Sequence, residues 1–368
     1  MKTPLRGRPS LSRNRIINVL RQEIAAGDLS PESRLPLRTE LVKRFNVSVP
    51  TLQSAMNRLR EDGFVESKGK LGTFVAKRPP FMSNYAFVFP FYPGASDWTG
   101  FWTAMVDEAQ TIEKSGQLRG GKISQYFNIT DGHPDNTTYQ ALLRDVREHR
   151  LAGLMFGSPP HLIEQTPLVQ EAGIPRVWIA QDPSRFPTMW MVRIAAEMFR
   201  DKALDYLVAR GRKRVAFLYN PGQFEGDHSP GNPLTLALEK RGMYSHEYWR
   251  QYISPGAPFG ARNCVNLMMQ HTNQERPDAL VIGDDNLVNQ AVAGLLMSGV
   301  RVGIDVDVVA HANFPLPGPS TELPLRRLGF DAKQIVARCV EAIDRQRAGE
   351  KEPQVLPVPA VWEDEITN

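Results

Sequence analysis

The sequence has 368 residues, a length that suits two or three domains, and 42% of them are apolar, enough for ordinary cores. No stretch approaches the roughly 18 uncharged apolar residues of a membrane-spanning helix, and no apolar segment follows the basic start, so we expect neither a membrane span nor a secretory signal. Only Cys264 and Cys339 could supply thiols, and they lack metal-ligand spacing. We therefore predict a cytoplasmic protein with buried thiols, no metal and no cofactor.

The charge is unevenly divided along the chain. Residues 1–80 carry 16 Lys and Arg against 7 Asp and Glu, whereas the other 288 residues carry 28 and 33. This asymmetry predicts a small module that binds a polyanion, joined to a larger and mildly acidic part with another task.

The first 77 residues have the pattern of three helices and a hairpin. Ser12 is a candidate cap for the first helix, and Gly27 ends it. Ser48 is a natural cap for the third helix, where Pro50 lies in the first turn and its missing N–H costs nothing. Gly63 closes that helix. The apolar faces comprise Ile16, Ile17, Leu20 and Ile24, then Leu37, Leu41, Val42 and Phe45, then Leu52, Ala55, Met56 and Leu59. We predict a winged helix-turn-helix at 12–77, after a disordered basic arm at 1–11 and before a linker at 78–83.

Residues 27–75, "GDLSPESRLPLRTELVKRFNVSVPTLQSAMNRLREDGFVESKGKLGTFV", resemble the DNA-binding domain of the GntR family. The resemblance implies a head that binds double-stranded DNA. The sequence departs from the family at Leu37, where Ser is usual, at Val49 and Gln53, where Arg is usual, and at Lys70, where Gly is usual. Gln suits adenine, and the apolar Val49 and Pro50 suit the thymine methyl group, so we predict an A/T-biased operator. The predicted DNA contacts are Arg38, Val49, Pro50, Thr51, Gln53, Lys68, Lys70 and Thr73 in the head, with Arg6 and Arg8 in the arm.

The arm contains Arg6-Gly7-Arg8-Pro9, which resembles the core of an AT-hook. One interpretation is that the two arginines enter an A·T minor groove. The other is a generic basic tail that neutralises phosphates.

Strand and helix patterns alternate after Ser83. Continuous apolar strands between helices predict parallel sheets covered on both faces. The fold class is therefore α/β, with the winged head followed at 84–362 by a body of two doubly wound lobes, and a tail at 363–368. The body resembles the effector domain of LacI/GalR-type regulators, which is similar to periplasmic sugar-binding proteins, through segments such as "EAGIPRVWIAQD", "ARGRKRVAFLYNP" and "RPDALVIGDDN". A GntR-type head on such a body is the arrangement of arabinose-repressor-type hybrids.

Ligands of such folds bind at the carboxyl ends of the strands, between the lobes. The predicted effector contacts are Phe91, Tyr92, Asp97, Trp98, Asp131, Gln181, Asn220, Asp284, His311 and Asn313, with Asp182 and Asp285 beside them. Aromatic rings beside carboxylates and amides suit a carbohydrate. The alternative is that about half of these residues only cap loops or form turns.

Several positions at which relatives hold the sugar are altered. Ala195 stands where Asp is typical, and the Arg that is typical before Pro233 is missing. Asp284-Asp285 replaces a typical Asn-Asp pair, and His311-Ala312-Asn313 replaces a typical Phe-Asp-Asp. Either the ligand is not a common hexose, or tight binding has been lost.

These patterns predict a ligand-responsive transcriptional regulator, a repressor that binds an inverted repeat as a homodimer and answers to a sugar or sugar derivative. The alternative is a ligand-independent or architectural DNA-binding protein whose body only dimerises. We predict no enzymatic activity, because no nucleophile elbow, P-loop or metal motif accompanies Asp284, Asp285 and His311.

Overall fold

The computed structural model describes residues 9–116, 118, 121–221, 231–270 and 276–366, with side chains from Leu11 onward. The chain divides into two compact units. Unit 1 comprises Met1–Pro90, Ala109–Trp178 and Val340–Glu352, and unit 2 comprises Phe91–Glu108, Ile179–Cys339 and Pro353–Asn368. The domain boundaries drawn from the sequence stay predictions.

The head is a three-helix bundle with a two-stranded wing. Its elements are α1 (Pro9–Ala26), α2 (Arg38–Phe45), α3 (Val49–Glu61), β1 (Val65–Ser67) and β2 (Thr73–Val75). The strands are antiparallel, with Val65 opposite Val75. The predicted apolar faces of α1 and α3 are buried in one core. Helix α1 begins at Pro9, three residues before the predicted cap Ser12; proline is well suited to the first helical position.

The caps of α2 and α3 differ as the sequence predicts. The Ser48 hydroxyl accepts a hydrogen bond from the Thr51 amide N–H at 3.4 Å. Leu37 caps α2 without any side-chain hydrogen bond, while the Glu40 carboxylate accepts one from the Leu37 amide at 2.7 Å. Gly63 has φ +79°, a left-handed conformation in which glycine ends α3 without strain.

The first six-stranded sheet has the order β13-β7-β6-β5-β3-β4. Its strands are β3 (Asn84–Val88), β4 (Lys122–Tyr126), β5 (Gly153–Phe156), β6 (Arg176–Ala180), β7 (Trp190–Ile194) and β13 (Val355–Val358). Tyr85 aligns with Ile123 and with Gly153 in parallel registers. The helices of this part of the chain are α4 (Gly100–Ser115), α5 (Thr137–Arg147) and α6 (Pro167–Gln170).

The second six-stranded sheet lies wholly in unit 2 and has the order β14-β12-β11-β10-β8-β9. Its strands are β8 (Val215–Tyr219), β9 (Arg250–Tyr252), β10 (Ala279–Ile282), β11 (Asp307–Phe314), β12 (Arg326–Asp331) and β14 (Val361–Trp362). The remaining helices are α7 (Ala196–Ala209), α8 (Pro233–Glu239), α9 (Phe259–Met269), α10 (Asp285–Ser298) and α11 (Ala332–Arg347). Only β14 pairs antiparallel, with β12. The predicted α/β class with parallel sheets is confirmed.

Two elements differ from expectation. The sequence between the strand "LAGLMFGS" and Gly173 predicts a helix, but only the four-residue α6 forms there. Strand β7 was not predicted. Cys339 is buried, and burial raises the pKa of its thiol, as expected for an inert side chain. Among the described residues, no helix is long and apolar enough to cross a membrane, and no cluster of His, Cys, Asp and Glu is suited to a metal.

Candidate DNA-binding surface and effector cavity

The exposed side of the head carries a groove of about 270 Å³ between α2, α3 and the wing. Arg38, Gln53 and Thr73, three of the predicted DNA contacts, line this groove. Arg34 and Arg60 also line it, although the sequence did not single them out. Arg60 lies seven positions after Gln53, two helical turns along the same face of α3, so the helical period could have found it.

The other predicted contacts surround the groove. Val49 is 49% exposed at the start of α3. The Thr51 hydroxyl lies 2.8 Å from the Ser48 hydroxyl and takes part in the cap. Lys68 pairs with Glu66 at 2.9 Å, which raises the pKa of the lysine and partly neutralises the wing. Pro50 and Lys70 are exposed, whereas Arg6 and Arg8 lie outside the described residues.

A cavity of about 520 Å³ lies within unit 2. Of the predicted effector contacts, those that line it are Gln181, Asn220, Asp284, His311 and Asn313, together with Asp182 and Asp285. The lining residues that sequence reasoning missed include Thr99, Phe101, Phe199, Arg200, Tyr219 and Phe330. Tyr219 ends β8 and Phe330 lies one residue before the end of β12. Because ligands bind at the carboxyl ends of parallel strands, both could have been predicted, but aromatic residues in apolar strands also have the pattern of core residues.

Five predicted effector contacts lie outside the lining of this cavity. Phe91 and Trp98 pack on Trp102, with ring centroids 5.9 and 5.5 Å apart. The Asp131 carboxylate accepts a hydrogen bond from the His133 amide at 2.9 Å, a loop cap that lowers its pKa. The remaining two, Tyr92 and Asp97, are exposed. For Asp131, the geometry is that of the turn-forming alternative.

Asp284 is held by hydrogen bonds from its neighbours. It caps α10 by accepting from the Asn286 amide at 2.9 Å, and its other oxygen accepts from the Asn220 side chain at 2.5 Å. Because both of its oxygens accept hydrogen bonds from the protein, the Asp284 carboxylate stabilises the wall of the cavity.

His311 and Asn313 lie two residues apart on β11, so both face the same side of the sheet. The His311 ring packs between Phe199 and Phe330, at centroid distances of 5.4 and 5.8 Å. Its Nδ1 lies 3.7 Å from the Asp285 carboxylate and, among the described residues, has no hydrogen-bond partner. Asn313 is 2% exposed, and neither its Oδ1 nor its Nδ2 has a partner in the described part of the chain. Buried amides without partners are costly, so this one is suited to a bound polar molecule.

Asp285 lies against the start of α4. A Cβ on Gly100, the first residue of that helix, would overlap the Asp285 carboxylate. Glycine therefore allows a negative charge to approach the positive end of a helix dipole beside the cavity.

Comparisons with known proteins agree with this architecture. Residues 12–75 match the family of bacterial regulatory proteins called gntR, and residues 204–362 match the periplasmic binding protein-like domain. The chain is 18% identical, over 90% of its length and 93% of the relative's, to the arabinose metabolism transcriptional repressor of Geobacillus stearothermophilus.

Solved structures of the LacI family share the fold of the body. A LacI-type transcription regulator from Bifidobacterium animalis subsp. lactis DSM 10140 superposes with a TM-score of 0.53 at 15% identity, covering 76% of this chain and 97% of that one. A LacI family regulator from Lactobacillus casei with bound glucose gives 0.52 at 16%, covering 76% and 98%.

The chain therefore combines a head that matches a family of DNA-binding regulatory domains with a body that is similar to binding proteins. In particular, it is a gntR-type helix-turn-helix joined to a LacI-like, periplasmic-binding-protein-like domain, and the predicted resemblances are confirmed.

Proposed function

We propose that this chain is a cytoplasmic transcriptional repressor whose operator binding is modulated by a small molecule in the unit 2 cavity. The observation that carries the proposal is the pair His311 and Asn313. Both residues line a cavity of about 520 Å³, and the His311 Nδ1 and both polar atoms of the Asn313 amide lack a hydrogen-bond partner in the described residues, in a chain that also has a winged DNA-binding head.

A sugar or sugar derivative is the ligand class that the lining best supports. Phe199, Phe330 and Tyr219 offer apolar faces for C–H groups, and the Asn313 amide offers one donor and one acceptor for hydroxyls. The Lactobacillus casei relative binds glucose and sucrose in solved structures. Ala195 stands where the relatives typically carry a sugar-holding Asp, so no carboxylate is offered there, which argues for a ligand other than a common hexose.

The head is proposed to bind an inverted repeat as part of a homodimer. Gln53 donates from its Nε2 to the Asn57 Oδ1 at 2.7 Å, so its Oε1 remains available as an acceptor for the adenine N6 amino group. Selection of bound sequences from a random pool tests this: we expect A·T pairs opposite Gln53 and Val49, and a G-rich core would contradict it.

Ligand binding is tested by thermal shift and calorimetry with sugars, sugar acids, sugar phosphates and polyols. A ligand at about 100 times its dissociation constant should stabilise the folded state by roughly 2.7 kcal/mol. Asn313→Leu should abolish the shift. Gln270→Leu, which also replaces a side-chain amide with leucine but at an exposed position just after α9, should not.

The same ligand should then change operator affinity in a binding assay with the full chain. A chain that binds its operator but answers to no compound in the panel would favour the alternative, a ligand-independent DNA-binding protein whose body only dimerises. We propose a binding role without catalysis for His311 and Asp285, in line with the regulatory and binding-protein-like families that the two modules match.

A further inference from the structure

A cluster of ion pairs joins the head to the body within unit 1. It consists of Arg21 on α1, Asp62 at the end of α3, and Asp145, Glu148 and Arg150 at the end of α5 and just after it. We call these five residues the head–body cluster. Arg21 pairs with Asp62 inside the head, and its Nη1 lies 2.8 Å from the Glu148 carboxylate of the body. Arg150 of the body lies 3.3 Å from the Asp62 carboxylate of the head. Within the body it pairs with Glu148 at 2.7 Å and with Asp145 at 3.2 Å.

These contacts are buried, unlike most surface ion pairs. Arg21 is 2% exposed, and its guanidinium also lies over the Phe64 ring at 5.2 Å. The Asp62 side chain is 9% exposed, and those of Arg150 and Glu148 are 24% and 26%. Removing one member of such a network leaves a poorly solvated charge, so the geometry of the whole is strongly fixed. Exposed pairs, by contrast, contribute little.

The connection between the two parts gives a second attachment. Phe81 packs against the core of the head. Next to it, the Met82 carbonyl accepts a hydrogen bond from Arg347 of α11 at 2.9 Å. The segment predicted as a linker is therefore held at both sides, and the head is attached to the body at two places.

Asp62 links the head–body cluster to the helix that carries the predicted base contacts. Asp62 is the C-cap residue of α3, the helix that carries Gln53 and Val49. On the other side, Asp145 accepts a hydrogen bond from Tyr126, the last residue of β4, at 2.7 Å. Arg150 thus connects the end of the recognition helix to the end of a strand in the body.

We propose that Glu148 and Arg150 are positioning residues, which fix the direction of α3 relative to the body through Arg21 and Asp62. This proposal rests on the proposed function, in which a dimer reads two half-sites. In a dimer, two heads that are attached in this way hold their recognition helices at one fixed separation. Since both helices must lie in the major groove, only half-sites at the matching spacing can be bound together. Heads on loose tethers would accept several separations.

The test uses the full chain and a set of DNA duplexes. They carry one selected half-site, or two in inverted repeats whose spacers differ by single base pairs. The variant Glu148→Gln/Arg150→Gln removes together the two body charges that pair with the head, and leaves Asp145 in place. Arg147→Gln is the matched control, because Arg147, the last residue of α5, lies outside the head–body cluster and its ion pair among the described residues is an exposed one with Glu171, just after α6. Arg150→Lys is the conservative variant. Circular dichroism and the binding of a single half-site report whether the head stays folded.

A spacer change of two base pairs rotates one half-site by about 70°, so we expect it to weaken wild-type and Arg147→Gln binding at least about tenfold. The double variant should keep its affinity for the single half-site and lose less than about threefold for the same spacer change. Arg150→Lys should fall between them.

Four outcomes are decisive. A sharp spacing preference in the double variant overturns the positioning role. A wild type without any spacing preference also overturns it. A double variant that binds the single half-site as poorly as it binds the repeats overturns it too, because the loss of both shows that the cluster has a structural role alone. A wild type that selects no DNA at all overturns the proposed function instead.

Discussion

His149 lies beside the head–body cluster, between Glu148 and Arg150 in the chain. It is half-buried and has φ +55°, and burial followed by the nearby Arg21 charge lowers its pKa below the ordinary value. A pKa that is lower in the folded state means that the unfolded chain binds more protons below about pH 6.5, so this group makes stability fall as the pH falls through that range.

His149→Asn should remove this part of the pH dependence. Asparagine tolerates the left-handed backbone conformation and does not titrate, so the fold should be kept. We expect the free energy of unfolding of the variant, measured with urea between pH 7.5 and 5.5, to fall less than that of the wild type. His161→Asn, at an exposed histidine, should follow the wild type. Parallel curves for all three proteins would show that the charge on His149 has no effect on folding.

Asn313 should show a conflict between stability and binding. Its buried amide has no protein partner in the described residues, so an isosteric leucine removes a desolvation cost of about 1–3 kcal/mol. Asn313→Leu should therefore raise the ligand-free melting temperature while abolishing the ligand-induced shift. A lower melting temperature would mean that the amide is satisfied, for example by ordered water, and that its role is structural.

At the scale of elements, the start of α2 offers a clear test of capping. Leu37 has φ −58° and ψ 150°, contributes no side-chain hydrogen bond and is 51% exposed. Leu37→Ser should stabilise the chain by about 0.5–2 kcal/mol, because a hydroxyl there can accept from the first turn of the helix. Leu71→Ser, the same change at a wing residue that is 65% exposed, is the control for chemical denaturation. Equal effects of the two changes would contradict the capping explanation.

Local signals also decide which elements could be predicted. Helix α3 could be read from Ser48, Pro50 and Gly63, since each acts within its own turn. Strand β7 could not, because only Ala195 separates its five residues from α7, so no turn residue separates two apolar segments of different period. The helix expected before Gly173 is short because the chain leaves the helical conformation after four residues. Pro167 starts it, and the chain is extended again at Glu171, where ψ is 129°.

The cavity could be predicted only where strand ends form it. Asn220, His311 and Asn313 lie at the carboxyl ends of parallel strands, which meet at one edge of a sheet, so chain order alone brings them together. The residues from Phe91 to Trp98 follow β3, which ends at Val88, by way of a long loop. Loop direction is set by tertiary packing, here against Trp102, and no local pattern encodes it.

At the scale of the whole molecule, the division of charge predicts how DNA binding depends on salt. Residues 1–80 carry 16 basic against 7 acidic residues, whereas the other 288 residues carry 28 against 33. Removing residues 1–8 deletes Lys2, Arg6 and Arg8, and should lower the slope of log affinity against log salt by at most about 2.7, or 0.9 for each phosphate that is no longer neutralised. The reduction in affinity should be the same on all flanking sequences if the arm is a basic tail. It should be larger on A·T flanks if Arg6 and Arg8 enter the minor groove.

The control for this deletion removes as many charges from the body. Arg147, Arg301 and Arg345 have side chains that are 54%, 67% and 34% exposed, and each is paired with a neighbouring carboxylate. Changing all three to glutamine alters the net charge by the same amount at sites that we do not expect to touch DNA. An unchanged slope in this variant and a reduced slope in the deletion would assign the counterion release to the arm, because release requires direct neutralisation of phosphates. Equal reductions would mean that net charge, not direct binding, governs the salt dependence, and the separation of tasks between head and body would then be wrong.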